Sequence, residues 1–353
     1  MAVSIPPEWM PADLEAVTVC PVCASKDLVP TVTATRDRNV SGGDRRWRHL
    51  WCSRCRVALL SPRPRAEALA KAYATYYTHR EPVLDPRSEA ERSGLAWRLL
   101  DGYLGVEYGY GSPRDLGRLG WLVARAARGP RATADRFVRN LARPLADGEQ
   151  RLLDVGCGNG EFLLRMRQLG WGVSGVETDP VSAGVGQAAG LDVHVGEVPD
   201  GDLPGAPFDA VTLSHVIEHV ADPIALLERC RRLMRPGGVI WVLTPNLDAP
   251  GARRYASDWV SWDAPRHLVI FTRAALIRAL AEAGFSSPRQ QLPLINARSW
   301  IYPVCEDVRA GGNGESPMPL PRGVGFGARL SDLAVALGNT TRAEELCLTA
   351  TVG

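Results

Sequence analysis

The chain contains no apolar run approaching the ~18 residues needed to cross a bilayer. Its start, Met1-Ala-Val-Ser-Ile-Pro-Pro7, lacks the basic cap and apolar core of a secretory signal. Together these absences set the expectation of a cytoplasmic protein with no membrane contact, in a compartment where thiols stay reduced. Charge of one sign is also missing. The formal net charge is only +2, from 41 basic and 39 acidic residues, which speaks against a general nucleic-acid binder. A mild basic surplus in the first 150 residues is diffuse and reads as solvated surface. Lysine is nearly absent, with Lys26 and Lys71 alone among the basic residues; a coding bias toward arginine explains this as well as any phosphate-binding role. Histidine is scarce, six in all, which shortens the list of side chains able to accept a proton near neutral pH.

What is present begins with length. At 353 residues and 45% apolar, the chain can bury a full α/β core and still leave material for further lobes. The segment Arg151-Leu-Leu-Asp-Val-Gly-Cys-Gly-Asn-Gly-Glu161 reads as an apolar strand ending near Asp154, followed by glycines at 156, 158 and 160 that open an amphipathic helix. Ligands of parallel sheets settle at the carboxyl ends of the strands, and glycine lets the backbone approach them closely. A second strand, Gly172 to Glu177, ends on an acid placed to accept hydrogen bonds from both hydroxyls of a ribose. A nicotinamide or flavin nucleotide would call for G-x-G-x-x-G. Here Glu161 occupies the place of the last glycine, and a negative side chain at that helix start suits a cationic sulfonium better than a pyrophosphate.

Further motifs follow in order: Phe208 to Val220 with Ser214-His-Val-Ile-Glu-His219, Arg229 to Arg235, Pro236-Gly-Gly238, and Thr244-Pro-Asn246. With the glycine loop, these resemble the middle of a class I S-adenosylmethionine-dependent methyltransferase. The resemblance implies a Rossmann-like α/β fold, with a seven-stranded, mainly parallel sheet and an antiparallel hairpin at one edge. It implies cofactor contacts from Asp154, Gly156, Cys157, Gly158, Gly160 and Glu177, from Glu197 near the adenine, and from Ser214 or His215. Cys157 itself packs as a small apolar residue, since direct methyl transfer needs no covalent enzyme intermediate.

Four of the eight cysteines form two knuckles, Cys20-Pro-Val-Cys23 and Cys52-Ser-Arg-Cys55. Such pairs can supply four thiolates to one tetrahedral Zn²⁺. The alternatives are redox pairs or unbound thiols. With four cysteine ligands the site is closed, and its role is to fold a small lobe. The strands of that lobe are expected at Val29 to Thr35 and Arg46 to Trp51, with the turn at Ser41-Gly-Gly43. Helices are expected at Arg65 to Tyr77, Leu95 to Leu104 and Leu116 to Ala127, with a turn over Glu107 to Pro113. Tyr76, Tyr77 and His79 either face the substrate or belong to the core. The division is therefore a zinc-ribbon-like lobe over 1–62, a helical linker over 63–148 and a methyltransferase domain over 149–353. This combination, with Trp262-Asp-Ala-Pro-Arg-His267, resembles bacterial zinc-containing methyltransferases of natural-product, sugar and cell-surface glycan pathways.

Methyl transfer places the acceptor in line with the C–S bond, and a hydroxyl acceptor needs a base. His267, in the loop after the fifth strand, is one candidate, with Trp259 and Trp262 walling the pocket. His215 is the other, its alternative being a backbone contact to the cofactor; His219 orders the turn it sits in or, as the alternative, is a base oriented by Glu218. Asp258 and Asp263 orient hydroxyls or are solvated loop acids. A helix from Thr272 to Ala283, a strand from Ser287 to Leu292 and a final antiparallel strand from Glu345 to Val352 complete the domain. The Gly- and Pro-rich stretch 310–327 reads as a mobile insertion, either a lid or disordered. The expected function is methylation of a small molecule or sugar, at oxygen in preference to carbon or nitrogen. Methylation of a ribosomal-RNA base, and a zinc interaction module on an inactive fold, stand as alternatives. The sequence leaves the oligomeric state open.

Overall fold

A computed structural model describes residues 9–37, 46–73, 94–112, 115–126, 128–144, 150–313 and 317–353. The amino-terminal lobe pairs β1 (Leu14–Glu15) antiparallel with a later short strand, and builds an antiparallel meander from β2 (Leu28–Arg36), β3 (Arg46–Cys52) and β4 (Ala58–Leu60); β5 (Arg63–Pro64) is the partner of β1. Period-two alternation is plain in β3, where Trp47 and His49 are buried and Arg46 and Arg48 are exposed. The expected turn at residues 41–43 lies outside the described residues.

The expected α-helix over Arg65 to Tyr77 is instead a 3-10 helix, Ala66–Tyr73. Arg266 donates to the Ala72 carbonyl at 3.2 Å, and residues 74–77 of the expected helix lie outside the described residues. Tyr76, Tyr77 and His79 lie outside the described residues. The helix Leu95–Tyr108 runs past its expected end at Leu104 and stops at Gly109, whose φ is 82°. It packs on Gly117–Ala126 so closely that a Cβ on Gly120 would stand 2.2 Å from the Leu99 carbonyl oxygen. A third helix, Arg128–Phe137, was not foreseen; its polar composition hid that Asp135 is buried, accepting hydrogen bonds from Tyr103 and Tyr108 at 2.6 and 2.8 Å.

The main sheet comprises β6 (Arg151–Val155), β7 (Gly172–Glu177), β8 (Asp192–Val195), β9 (Phe208–Ser214) and β10 (Met234–Pro245). After the short β11 (Val269–Ile270), it is completed by β12 (Phe285–Gln290) and β13 (Glu345–Val352). The strand order is β12-β13-β10-β9-β6-β7-β8. The five strands from β10 to β8 are mutually parallel, and β13 runs antiparallel to both β10 and β12. Leu153, Val155, Val211, Leu213 and Val242 pack on one face, Leu152 and Ala210 on the other. The strand expected at Ser287 begins two residues earlier, at Phe285. The stretch 310–327 is not wholly irregular, because Arg322 already opens the helix Arg322–Ala336 directly after Pro321; residues 314–316 lie outside the described residues.

The lobe and the main domain share a sheet. β11, which follows β10, pairs antiparallel with β4 and extends the lobe's meander. Arg266, at 1% exposure, clamps this junction: it bonds Asp263 through two nitrogens at 3.1 and 2.9 Å, Asp37 at 2.9 Å, and the Ala72 carbonyl. Removing one member of a buried ion pair strands the other. Arg266→Ala should therefore lower the urea unfolding free energy by about 3–5 kcal/mol, whereas Arg232→Ala, whose partner Asp200 is 83% exposed, should cost under ~1 kcal/mol.

Candidate functional site

Because β6, β7 and β9 are parallel neighbours, their carboxyl ends lie side by side, and the loops leaving them form one floor. Gly156 and Cys157 donate to the Val176 carbonyl at 2.8 and 3.2 Å, folding the loop after β6 against β7. Gly156, Gly158 and Gly160 have φ of 67°, 56° and 83°, which side chains other than glycine rarely adopt. Space is also lacking: a Cβ on Gly156 would sit 2.5 Å from Val216, and one on Gly160 would sit 2.2 Å from Leu191. At the tip of β7, Glu177 accepts hydrogen bonds from the Gly158 N–H at 2.7 Å and the Asp179 N–H at 2.9 Å. Its carboxylate is thus held at the mouth of the glycine loop.

The other expected cofactor contacts divide. Asp154 is 1% exposed and ion-paired with Arg139, while Thr212 donates to it at 2.7 Å. Strand alternation turns its side chain onto the sheet face with Leu152 and Thr212, where Arg139 covers it from above Phe162 at 3.5 Å. It supports the loop from below and does not face the carboxyl edge. Glu161 pairs with Arg165 at 3.1 Å, so its charge is partly answered within its own helix and argues less for a cationic ligand than the sequence implied. Glu197 is 72% exposed and tied to Arg229 at 3.3 Å. Cys157 is buried and burial pushes its thiol up, which fits packing and not nucleophilicity. Ser214 closes β9, opposite Leu243 of β10.

His215 follows with φ 55°, and its two ring nitrogens meet Glu218 at 3.1 Å and Glu345 at 3.0 Å. Burial opposes a charge on this ring, but the hydrogen bonds to the two carboxylates outweigh it and push its pKa up to about 9. With both nitrogens facing carboxylates, His215 is poorly placed to accept a proton compared with the other candidate, His267. Glu218 is fully buried; burial raises it, yet the hydrogen bond and charge of His215 bring it down to about 2.

Two further imidazoles stand one turn further on. His219 Nδ1 lies 3.1 Å from the Arg266 carbonyl and 2.8 Å from the Tyr73 hydroxyl. His267 Nδ1 lies 2.7 Å from the Ser261 carbonyl. A carbonyl only accepts, so in each ring Nδ1 carries the hydrogen and Nε2 keeps its lone pair. The rings meet edge to face with centroids 4.6 Å apart. Burial lowers both, His219 to about 4 with His267 adding to the effect. One ligand atom each from Glu218, His219 and His267 lies within 4.8 Å of the others. The sequence favoured a turn-ordering role for His219 over a base paired with Glu218; the missing signal was the Leu268 N–H donated to the Glu218 carbonyl at 2.7 Å, which draws the His267 loop onto it.

Trp259 and Trp262 do not wall an open pocket. Both are buried, edge to face at 5.5 Å, with their indole N–H groups donated to Glu344 and to the Ala256 carbonyl. Asp263 is buried and held by Arg266, whereas Asp258 meets Arg309 at 3.4 Å with its side chain 36% exposed, as a solvated loop acid would be. In the lobe, Cys20 lies 3.4 Å from Cys55, and Cys23 lies 3.5 Å from Cys52, sulfur to sulfur, with no disulfide. Each knuckle closes on a residue of positive φ, Ala24 or Arg56, whose N–H returns to the first cysteine's carbonyl at 2.9 Å.

The His215 cluster has a pH signature. A histidine raised from 6.5 to about 9 contributes stability that is complete below pH 6.5 and lost as pH rises through 9. Glu218, lowered from 4.5 to about 2, contributes above pH 4.5 and loses that contribution as pH falls through 2. The pair should stabilise most between these limits. Urea unfolding should give a lower free energy at pH 9.5 than at pH 6, and His215→Gln should remove most of that difference.

Residues 125–287 match the profile of a family described as a methyltransferase domain. The chain is similar to a ubiquinone biosynthesis O-methyltransferase of Cereibacter sphaeroides (strain ATCC 17025), 39% identical over 185 residues, covering 49% of this chain and 75% of that protein. A protein of the same name from Xanthomonas campestris pv. campestris (strain B100) is 38% identical over 104 residues, 27% of this chain and 43% of that one. Among solved structures, a S-adenosylmethionine-dependent methyltransferase from Thermotoga maritima aligns over 73% of this chain and 100% of its own, at 16% identity and a TM-score of 0.41. A relative 39% identical across three quarters of its own length, matched by a parallel sheet and a glycine loop of the expected form, places the chain in the class I S-adenosylmethionine-dependent methyltransferases.

Proposed function

We propose that the chain methylates an oxygen of a small-molecule acceptor in a biosynthetic pathway. The observation that carries this reading is the pair of neutral imidazoles of His219 and His267, beside buried Glu218 at the sheet's carboxyl edge. The turn bearing His219 starts at Val216, which touches the glycine loop through the space above Gly156, so a methyl donor lying on that loop has these rings as neighbours. The relatives' naming as O-methyltransferases supports oxygen as the acceptor atom.

S-adenosylmethionine, when bound, supplies an electrophilic methyl on a sulfonium. Glu177, held by two backbone N–H groups, retains acceptor capacity for ribose hydroxyls, and Gly156 to Gly160 bring backbone close to the ligand. With the methyl donor bound, His267 would accept the acceptor's hydroxyl proton on Nε2. Its Nδ1–H, donated to Ser261, fixes the ring for that task, and Tyr73 and the Arg266 carbonyl fix His219 beside it. Burial excludes water, which strengthens these interactions. A second reading has a specific observation behind it: a carboxylate and two imidazole nitrogens within 4.8 Å also form a donor set for a divalent cation. Loss of activity on chelation, restored by added metal, would select it.

In the lobe, we assign Cys20, Cys23, Cys52 and Cys55 to one structural Zn²⁺. Sulfurs at the corners of a tetrahedron with Zn–S near 2.3 Å are separated by about 3.8 Å, close to the 3.4 and 3.5 Å separations. Four thiolates leave no open position, so the ion serves folding and not catalysis.

Calorimetry should show binding of adenosylhomocysteine, weakened roughly 10- to 100-fold in Glu177→Ala, as loss of hydrogen bonds to a charged group implies. His267→Ala should lower methyl transfer about 10²- to 10⁴-fold while cofactor affinity is kept. Metal analysis should find about one zinc per chain, absent in Cys20→Ser/Cys52→Ser.

A further inference from the structure

Four arginines, Arg253, Arg254, Arg309 and Arg342, converge with Pro250 on one open cavity of about 750 Å³. They come from three elements: the helix Pro250–Tyr255 just after β10, the helix Tyr302–Arg309, and the 3-10 turn Thr340–Arg342 that leads into β13. Guanidinium groups stay charged at every physiological pH, and although all four are exposed and screened in part by solvent, their convergence concentrates positive charge on one cavity. Acids answer one of the four. Arg309 meets Asp258 at 3.4 Å and Glu306 at 3.9 Å. Among the described residues, Arg253, Arg254 and Arg342 have no carboxylate within 4.0 Å. Asp248, close in sequence to Arg253, offers it a backbone carbonyl at 3.4 Å and turns its carboxylate to Arg56 at 3.5 Å.

The chain links the cavity's helix to the histidine cluster. Glu344 accepts the Gly251 N–H of the cavity's helix at 3.0 Å, and its neighbour Glu345 meets His215 at 3.0 Å. Two successive residues, the last before β13 and its first, therefore contact the cavity's helix and the histidine cluster. An uncompensated charge of three from planar, forked donors suits a doubly charged phosphoryl or diphosphoryl group better than a single carboxylate.

We infer that this cleft is an anion subsite that holds a phosphoryl or diphosphoryl group carried by the acceptor. The assignment to the acceptor rests on the methyl-transfer reading; the binding of the anion does not.

The test is calorimetry on the full chain at low salt with two probes, uridine diphosphate glucose as a diphosphate ester and inorganic pyrophosphate as the free anion, alongside adenosylhomocysteine. The expected result is binding of the ester, tighter than pyrophosphate, weakened on adding salt and at least tenfold weaker in Arg254→Gln/Arg342→Gln, with adenosylhomocysteine affinity unchanged in that variant. Binding of neither probe, or equal binding by the double variant, would overturn the subsite. Pyrophosphate binding more tightly than the ester would overturn its assignment to the acceptor. Failure of adenosylhomocysteine alone would count against the methyl-transfer reading and leave the cleft standing.

Discussion

A single buried carboxylate, that of Glu218, holds the functional edge of the protein together. It binds protonated His215 on one side and accepts the Thr244 hydroxyl at 3.0 Å on the other, tying the end of β9 to the end of β10. Its own carbonyl receives the Leu268 N–H, which fixes the loop that carries Arg266 and His267. That loop continues into β11 and so into the sheet of the amino-terminal lobe. An unpaired charge at this depth would cost several kcal/mol, so the arrangement of His215, Thr244 and Glu345 around it is strongly constrained. The lobe therefore does more than decorate a catalytic domain: through β4, Tyr73 and Asp37 it supplies part of the frame in which His219 and His267 are set.

Charge is partitioned along the same edge. His215 is kept cationic by two carboxylates, while His219 and His267, a few ångströms away and bonded to carbonyls, are kept neutral by burial. Environment alone separates three identical side chains into one cation and two neutral rings. Below the glycine loop, the Arg139–Asp154 pair plays a mechanical part, joining the segment before β6 to the strand that presents the loop.

Local features were readable from the sequence because their cause is local. The glycines at 156, 158 and 160 were marked by the backbone they must adopt, β13 by its alternation, and the Thr272 cap by a hydroxyl that does accept the Ala275 N–H at 3.2 Å. The paired cysteines announced their convergence by spacing. What escaped depends on contacts distant in sequence. Nothing near His219 signals that a residue 48 positions later will share its pocket, and nothing near Arg266 signals Asp37. Asp154 was less legible because a strand's last polar residue can face the ligand or the sheet's underside, and its partner Arg139 sits in the turn after the helix Arg128–Phe137. The tryptophans after β10 were taken for pocket walls because aromatic content does not tell a lining from a core; their buried indole N–H groups show which they are.

The account stands on the claim that the glycine loop, Glu177 and the histidine pair belong to one reaction site. A crystal structure with adenosylhomocysteine bound tests this most directly. The account predicts both ribose hydroxyls within hydrogen-bond distance of the Glu177 carboxylate and the sulfur facing Nε2 of His219 and His267. A ligand bound elsewhere, or a sulfur turned away from those rings, would contradict it.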